Sequence, residues 1–71
     1  MENSSFILSN LMYEATQIPD DHRAGQHAFN VVYAKYPNIA NKARSTDIDP
    51  FYNDVHLPRF WMFVSSQLVQ Q

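Results

Sequence analysis

The chain has 71 residues with five Lys or Arg and seven Asp or Glu, a formal charge of −2, and no cysteine. One domain spans 1–71 at this length, and so short a chain hides only about 60% of the surface that its unfolded form exposes. Disulfides and cysteine-ligated zinc are excluded, so the fold has to rest on an apolar core, on self-association, or on both. With 45% hydrophobic and 14% aromatic residues, the composition can supply that core and is unlike that of a disordered chain.

Arg23, Lys35, Lys42, Arg44 and Arg59 are scattered along the sequence. No basic stripe is present to neutralise phosphates, which disfavours nucleic acid as a partner. The start, Met1-Glu2-Asn3-Ser4-Ser5, lacks a positive leader region. The longest apolar stretch runs only from Phe60 to Val64, against the roughly 20 residues of a membrane span. A cytoplasmic protein away from membranes is the expectation.

Gly25 is the single glycine, and prolines stand at 19, 37, 50 and 58. No Asn-Gly or Asp-Gly turn is present, which argues against hairpins. The reading is all-α: a small bundle of three main helices over about 4–17, 22–36 and 55–69, a short helix over about 38–44, and a polar loop.

The first helix takes its apolar face from Ile7, Leu8, Leu11, Met12, Ala15 and Ile18, spaced at three and four. Asn3, Ser4 or Ser5 can cap it, and Pro19 ends it. In the second, Asp20 or Asp21 suits the N-cap. Its stripe is Gly25, Ala28, Phe29, Val32, Tyr33 and Tyr36, and the small residues Ala24, Gly25 and Ala28 invite close approach by another helix. The short third helix begins at Pro37 and turns Ile39, Ala40 and Ala43 inward, with Lys42 and Arg44 at its negative end.

The polar loop Ser45 to Asp54 follows. Asp49-Pro50 reads as an N-cap and first residue of one helical turn, with Phe51 plugged into the core. The last helix is capped by Asp54, tolerates Pro58 in its first turn, and aligns Leu57, Phe60, Trp61, Val64 and Leu68. Met62 and Phe63 lie off that stripe.

Asp47, Asp49, Asn53 and Asp54 suggest a calcium loop. With Asp47 as position 1, however, positions 5, 6 and 12 are Phe51, Tyr52 and Pro58, where an EF-hand needs a ligand, glycine and glutamate. His22 and His27 are five apart and do not form an i, i+4 ligand pair; His22, His27 and His56 read as surface or capping residues. No serine sits in a G-x-S-x-G elbow. No cofactor, metal, small-molecule substrate or catalytic residue is expected, and the chain reads as a non-enzyme.

Two groups carry the functional expectations. Arg23, Gln26 and Asn30 share one polar stripe of the second helix, read either as a solvated face or as a network in which Arg23 or Arg44 pairs with Asp47 or Asp49 and pins the loop. In the run Phe60-Trp61-Met62-Phe63-Val64, one helix face can hide three or four of five side chains. The candidate contact surface is therefore Trp61, Met62 and Phe63 together with Phe51 and Tyr52 of the loop.

The stretch Arg23-Ala24-Gly25-Gln26-His27-Ala28-Phe29-Asn30, the step Ala40 through Arg44-Ser45-Thr46, and Asp49-Pro50-Phe51-Tyr52-Asn53-Asp54 with Phe60 resemble short uncharacterised proteins of bacteria and their phages. Those proteins are similar in carrying R-x-G-Q-x-x-F-N, an arginine–small–threonine step and D-P-F-Y-x-D. The resemblance covers residues 23 to 60, leaves out the first helix, and departs at Ser45, where the pattern has glycine. It implies a bacterial or phage origin and a coupling of the second helix to the Asp-Pro-Phe-Tyr loop, and no site roles. The expectation is a protein–protein interaction domain, paired with itself as a homodimer or with another protein. The alternative is a nucleic-acid-associated regulator of helix-turn-helix type, with Asn38 to Arg44 as recognition helix.

Overall fold

A computed structural model describes residues 4–70. The described residues are all-α, with no strand: α1 is Ser4–Ala15, α2 Ala24–Lys35, α3 Pro37–Ala43 and α4 Leu57–Val69, with a 3₁₀ turn at Asp54–His56 leading into α4. Helices α1 and α3 each pack against both α2 and α4. The enclosed core is Leu11 of α1, Ala28, Phe29, Val31 and Val32 of α2, Ile39, Ala40 and Ala43 of α3, and Phe60, Val64 and Leu68 of α4.

Helix boundaries differ from the sequence reading for local reasons. Helix α1 stops at Ala15, because its end tightens into i, i+3 bonds (Thr16 N–H to Tyr13 O at 3.0 Å, Gln17 N–H to Glu14 O at 3.0 Å) and the Thr16 hydroxyl donates to Tyr13 O at 2.6 Å. Asn3, one of its expected caps, lies outside the described residues.

Helix α2 begins two residues later than expected, and neither Asp20 nor Asp21 caps it. The chain there makes a turn closed by His22 N–H on Pro19 O at 3.0 Å, and the N-cap position falls on Arg23, whose side chain makes no cap bond. The capping carboxylate comes from Asp54, 29 positions along, whose Oδ1 accepts the Gly25 N–H at 2.9 Å.

A single residue, Tyr36, joins α2 to α3. Pro37 stands in the first turn of α3 as expected, and the helix ends at Ala43 rather than Arg44. At α4, residues 54–56 form a 3₁₀ turn rather than α-helix, and its cap is Asn53, whose Oδ1 accepts from Val55 N–H at 3.1 Å. Pro58 is held in the first turn of α4, where its missing N–H has no intrahelical partner to lose.

Of Ala24, Gly25 and Ala28, where close approach by a helix is expected, Ala24 and Ala28 share a groove with Met12 and Ala15 of α1, whereas Gly25 meets the loop instead. A Cβ built on Gly25 would lie 2.1 Å from the Pro50 carbonyl oxygen and 2.8 Å from Asp54 Oδ1. Only glycine leaves room for that strand of backbone.

Candidate functional site

The loop from Ser45 to Asn53 is built around one aspartate that serves the backbone, Asp49. Asp49, 8% exposed, accepts Ser45 N–H at 2.6 Å through Oδ2 and Phe51 N–H at 2.9 Å through Oδ1. The second bond is an Asx turn, so Asp49-Pro50 opens a turn, closed by Asn53 N–H on Pro50 O at 3.2 Å, and not a helix. The Asp49 carbonyl accepts from His56 Nδ1–H at 2.9 Å. His56 is therefore a half-buried loop tie rather than a surface residue. His27 is likewise half-buried, its Nε2–H donating to Glu14 O at 3.1 Å. At the loop entrance Ser45 sits at φ 63°, the left-handed region that glycine enters without strain.

The polar network forms with different partners from those expected. Arg23 Nη2 donates to the Phe51 carbonyl, and Arg23 Nε lies 3.7 Å from Asp54 Oδ1. Arg23 thus pins the loop, but through Phe51 and Asp54 and not through Asp47 or Asp49. Arg44 makes neither pair. Its guanidinium lies 5.1 Å over the Phe29 ring and 5.4 Å over Tyr33, and its Nε donates to Asn41 Oδ1 at 3.3 Å. Such cation–π contacts contribute about 0.5–1 kcal/mol at exposed positions. Asp47, exposed, is 3.9 Å from Arg59 Nη1. Gln26 and Asn30 are half-buried and make no side-chain hydrogen bond among the described residues. Asp49 accepts N–H groups of its own loop and makes no ion pair with Arg23 or Arg44 among the described residues.

The aromatic candidates separate into two places. Phe60 and Val64 are wholly buried, Trp61 and Phe63 half-buried, and Met62 is 73% exposed. Trp61 and Met62 line an open groove of about 470 Å³ with Leu8, Met12, Ser65 and Ser66, between α1 and α4. A second groove of about 350 Å³ continues from Met12 and Trp61 over Ala15, Ile18, Ala24 and Ala28. Phe63 shares its side of α4 with Gln67, four residues on, which accepts from Lys42 Nζ at 3.0 Å. That side faces α3, away from the groove.

Phe51 and Tyr52 line a different pocket, of about 100 Å³, with Phe29, Arg44, Ser45 and Asp49. Tyr52 points outward at 81% exposure. Between the two places runs a row of rings: Trp61 to Phe60 at 5.5 Å, Phe60 to Phe29 at 6.1 Å, Phe29 to Phe51 at 5.7 Å and Phe51 to Tyr52 at 4.8 Å between centroids. The loop and the last helix do not line a common groove; they meet through core rings.

Sequence reasoning missed Leu8, Met12 and Ile18 as surface-lining residues, since their spacing marks them only as an apolar stripe. Met12 and Ile18 remain 41% and 40% exposed. Among the described residues, no group of three or more His, Asp or Glu is placed to hold a metal, and no helix is long and apolar enough to cross a membrane. No protein-family model, curated protein or solved structure matches the chain.

Proposed function

We propose that this chain is a small, non-catalytic protein–protein interaction module of bacterial or phage origin, a three-helix bundle with a short fourth helix, working in the cytoplasm. The observation that carries the reading is Met62, 73% exposed beside half-buried Trp61 on the rim of an apolar groove of about 470 Å³. Water is a poor occupant of such a surface, and Trp, Met and aromatic side chains are the ones that protein contacts use most. The non-catalytic part rests on the aspartates: Asp49 and Asp54 are engaged with backbone N–H groups and act as loop ties. Nucleic acid is the weaker partner, because Lys42 and Arg44 of the would-be recognition helix are spent on Gln67, Asn41 and the Phe29 and Tyr33 rings.

A photo-crosslinking amino acid at position 62, with position 34 on the exposed side of α2 as control, tests the reading in cells. Protein adducts from position 62 and none from position 34 are expected. Equal labelling from both positions, or none from either, overturns it.

A further inference from the structure

We infer that the pocket between the end of α3 and the loop binds a primary carboxamide, carried by a small free amide or by a glutamine side chain of a peptide. The pocket, of about 100 Å³, is lined by Phe29, Arg44, Ser45, Asp49, Phe51 and Tyr52. None of these residues lines the groove between α1 and α4, so the inference stands apart from the interaction reading.

The donors are on Arg44 and Ser45. A guanidinium carries five N–H groups, and among the described residues Arg44 uses one: Nε donates to Asn41 Oδ1 at 3.3 Å. The Phe29 and Tyr33 rings, 5.1 and 5.4 Å from the guanidinium carbon, hold the group in place and leave the donors of both terminal nitrogens free. The Ser45 hydroxyl likewise has no hydrogen bond among the described residues.

The acceptor is Asp49. Its oxygens offer about four lone-pair positions, and the backbone N–H groups of Ser45 and Phe51 take two. Asp49 is 8% exposed and lines the pocket. It makes no ion pair with Arg44 among the described residues. A donor fork and a carboxylate thus flank one small space without satisfying each other.

Charge then selects the ligand. A carboxylate or phosphate drawn to Arg44 would meet Asp49, and an ammonium drawn to Asp49 would meet Arg44. Either like-charge contact is unfavourable where little water screens it. A zwitterion matches both signs, but its ammonium brings three donors to a carboxylate that is 8% exposed, and burying its charges adds a desolvation cost. A carboxamide is neutral. Its oxygen accepts from Arg44 and its NH₂ donates to Asp49. It is also planar, which suits walls made of the Phe29, Phe51 and Tyr52 rings. Size agrees: at about 30 Å³ of liquid volume per water, the pocket has room for roughly three waters, or a group of about four non-hydrogen atoms.

A ligand this small binds at best in about the tens of micromolar and ordinarily in the millimolar range. Heteronuclear NMR of the isotope-labelled intact chain follows a titration with acetamide. The Ser45, Phe51 and Tyr52 amide resonances are expected to move and saturate, and those of Met12 and Met62 to stay. Acetate, methylammonium and glycine should need at least about tenfold higher concentration for the same shifts. Arg44→Leu should raise the acetamide Kd at least about tenfold, with circular dichroism checking the helices, and Met62→Ala should leave it unchanged. Glutamine capped at both ends separates the two sources: binding tighter than that of acetamide assigns the amide to a peptide side chain, and binding no tighter assigns it to a small free amide. No saturation by acetamide, an equal response to acetate or glycine, or a folded Arg44→Leu that binds as the parent chain does overturns the inference. Should Arg44→Leu not fold, the comparison of acetamide with acetate and glycine on the parent chain decides alone.

Discussion

Asp54 Oδ1 accepts the N–H of Gly25 at 2.9 Å, and through that bond the first residue of the 3₁₀ turn caps a helix that begins 30 positions earlier in the chain. The same carboxylate oxygen lies 3.7 Å from Arg23 Nε, while Arg23 also holds the Phe51 carbonyl. One turn of α2 and one turn of loop are therefore fastened at the place where Pro50 comes closest to Gly25.

Gly25→Ala tests that closeness through its sign. In an open helix interior the change stabilises by about 1 kcal/mol. Here the new methyl would sit 2.1 Å from the Pro50 carbonyl oxygen, and backbone has to move to admit it. The expected outcome is a loss of about 1–3 kcal/mol in urea unfolding, with Tyr52 and Phe51 chemical shifts displaced. A more stable Ala variant would mean that the loop is not seated as described.

Asp49→Ala removes the acceptor for both Ser45 N–H and Phe51 N–H. Two donors around a site 8% exposed lose their partner, and each unsatisfied donor costs about 1–3 kcal/mol. The melting temperature should fall by more than about 8 °C, given that 1 kcal/mol moves a domain of this size by roughly 4–8 °C.

Ser45→Gly should stabilise the protein. Ser45 holds φ 63°, and a left-handed conformation costs a residue with a Cβ about 1–2 kcal/mol. Part of the gain is offset by the larger unfolded-state freedom of glycine, leaving about 0.5–1 kcal/mol, read as a higher melting temperature. An unchanged or lower value would count against the left-handed turn at the end of α3.

Phe60→Ala and Met62→Ala form a matched pair two positions apart on α4. Phe60 is wholly buried, 6.1 Å from the Phe29 ring and 5.5 Å from Trp61. Its truncation should cost about 3–5 kcal/mol, enough to unfold much of so small a domain at 37 °C. Met62, 73% exposed, should change monomer stability by less than about 0.5 kcal/mol. Denaturant midpoints at low protein concentration separate the two.

The helical stripes were legible where a helix buries one face. Leu11, Phe29, Val32, Phe60, Val64 and Leu68 are core, and they recur at the spacing of a helical turn. Val31 escaped that pattern and is 7% exposed. Helix α2 packs against both α1 and α3, so it buries more than one stripe, and no single periodicity reports that. The candidate site was legible only as residue types. Arg23, Phe51 and Asp54 are unremarkable singly, and their meeting depends on where the loop returns.

By itself the sequence determined an all-α chain of short helices. Pro37 and Pro58 stand in the first turns of α3 and α4, where a fixed φ and a missing N–H act within one turn of their own position. It also determined that five neighbouring apolar residues on α4 could not all be hidden, because a helix has only one inward side. What the tertiary structure alone decided is which groups meet across long separations: Asp54 with Gly25, Arg44 with Phe29, Leu8 and Met12 with Trp61. Those pairings follow from the packing of whole helices and the path of one loop, and the local spacing of residues carries no record of either.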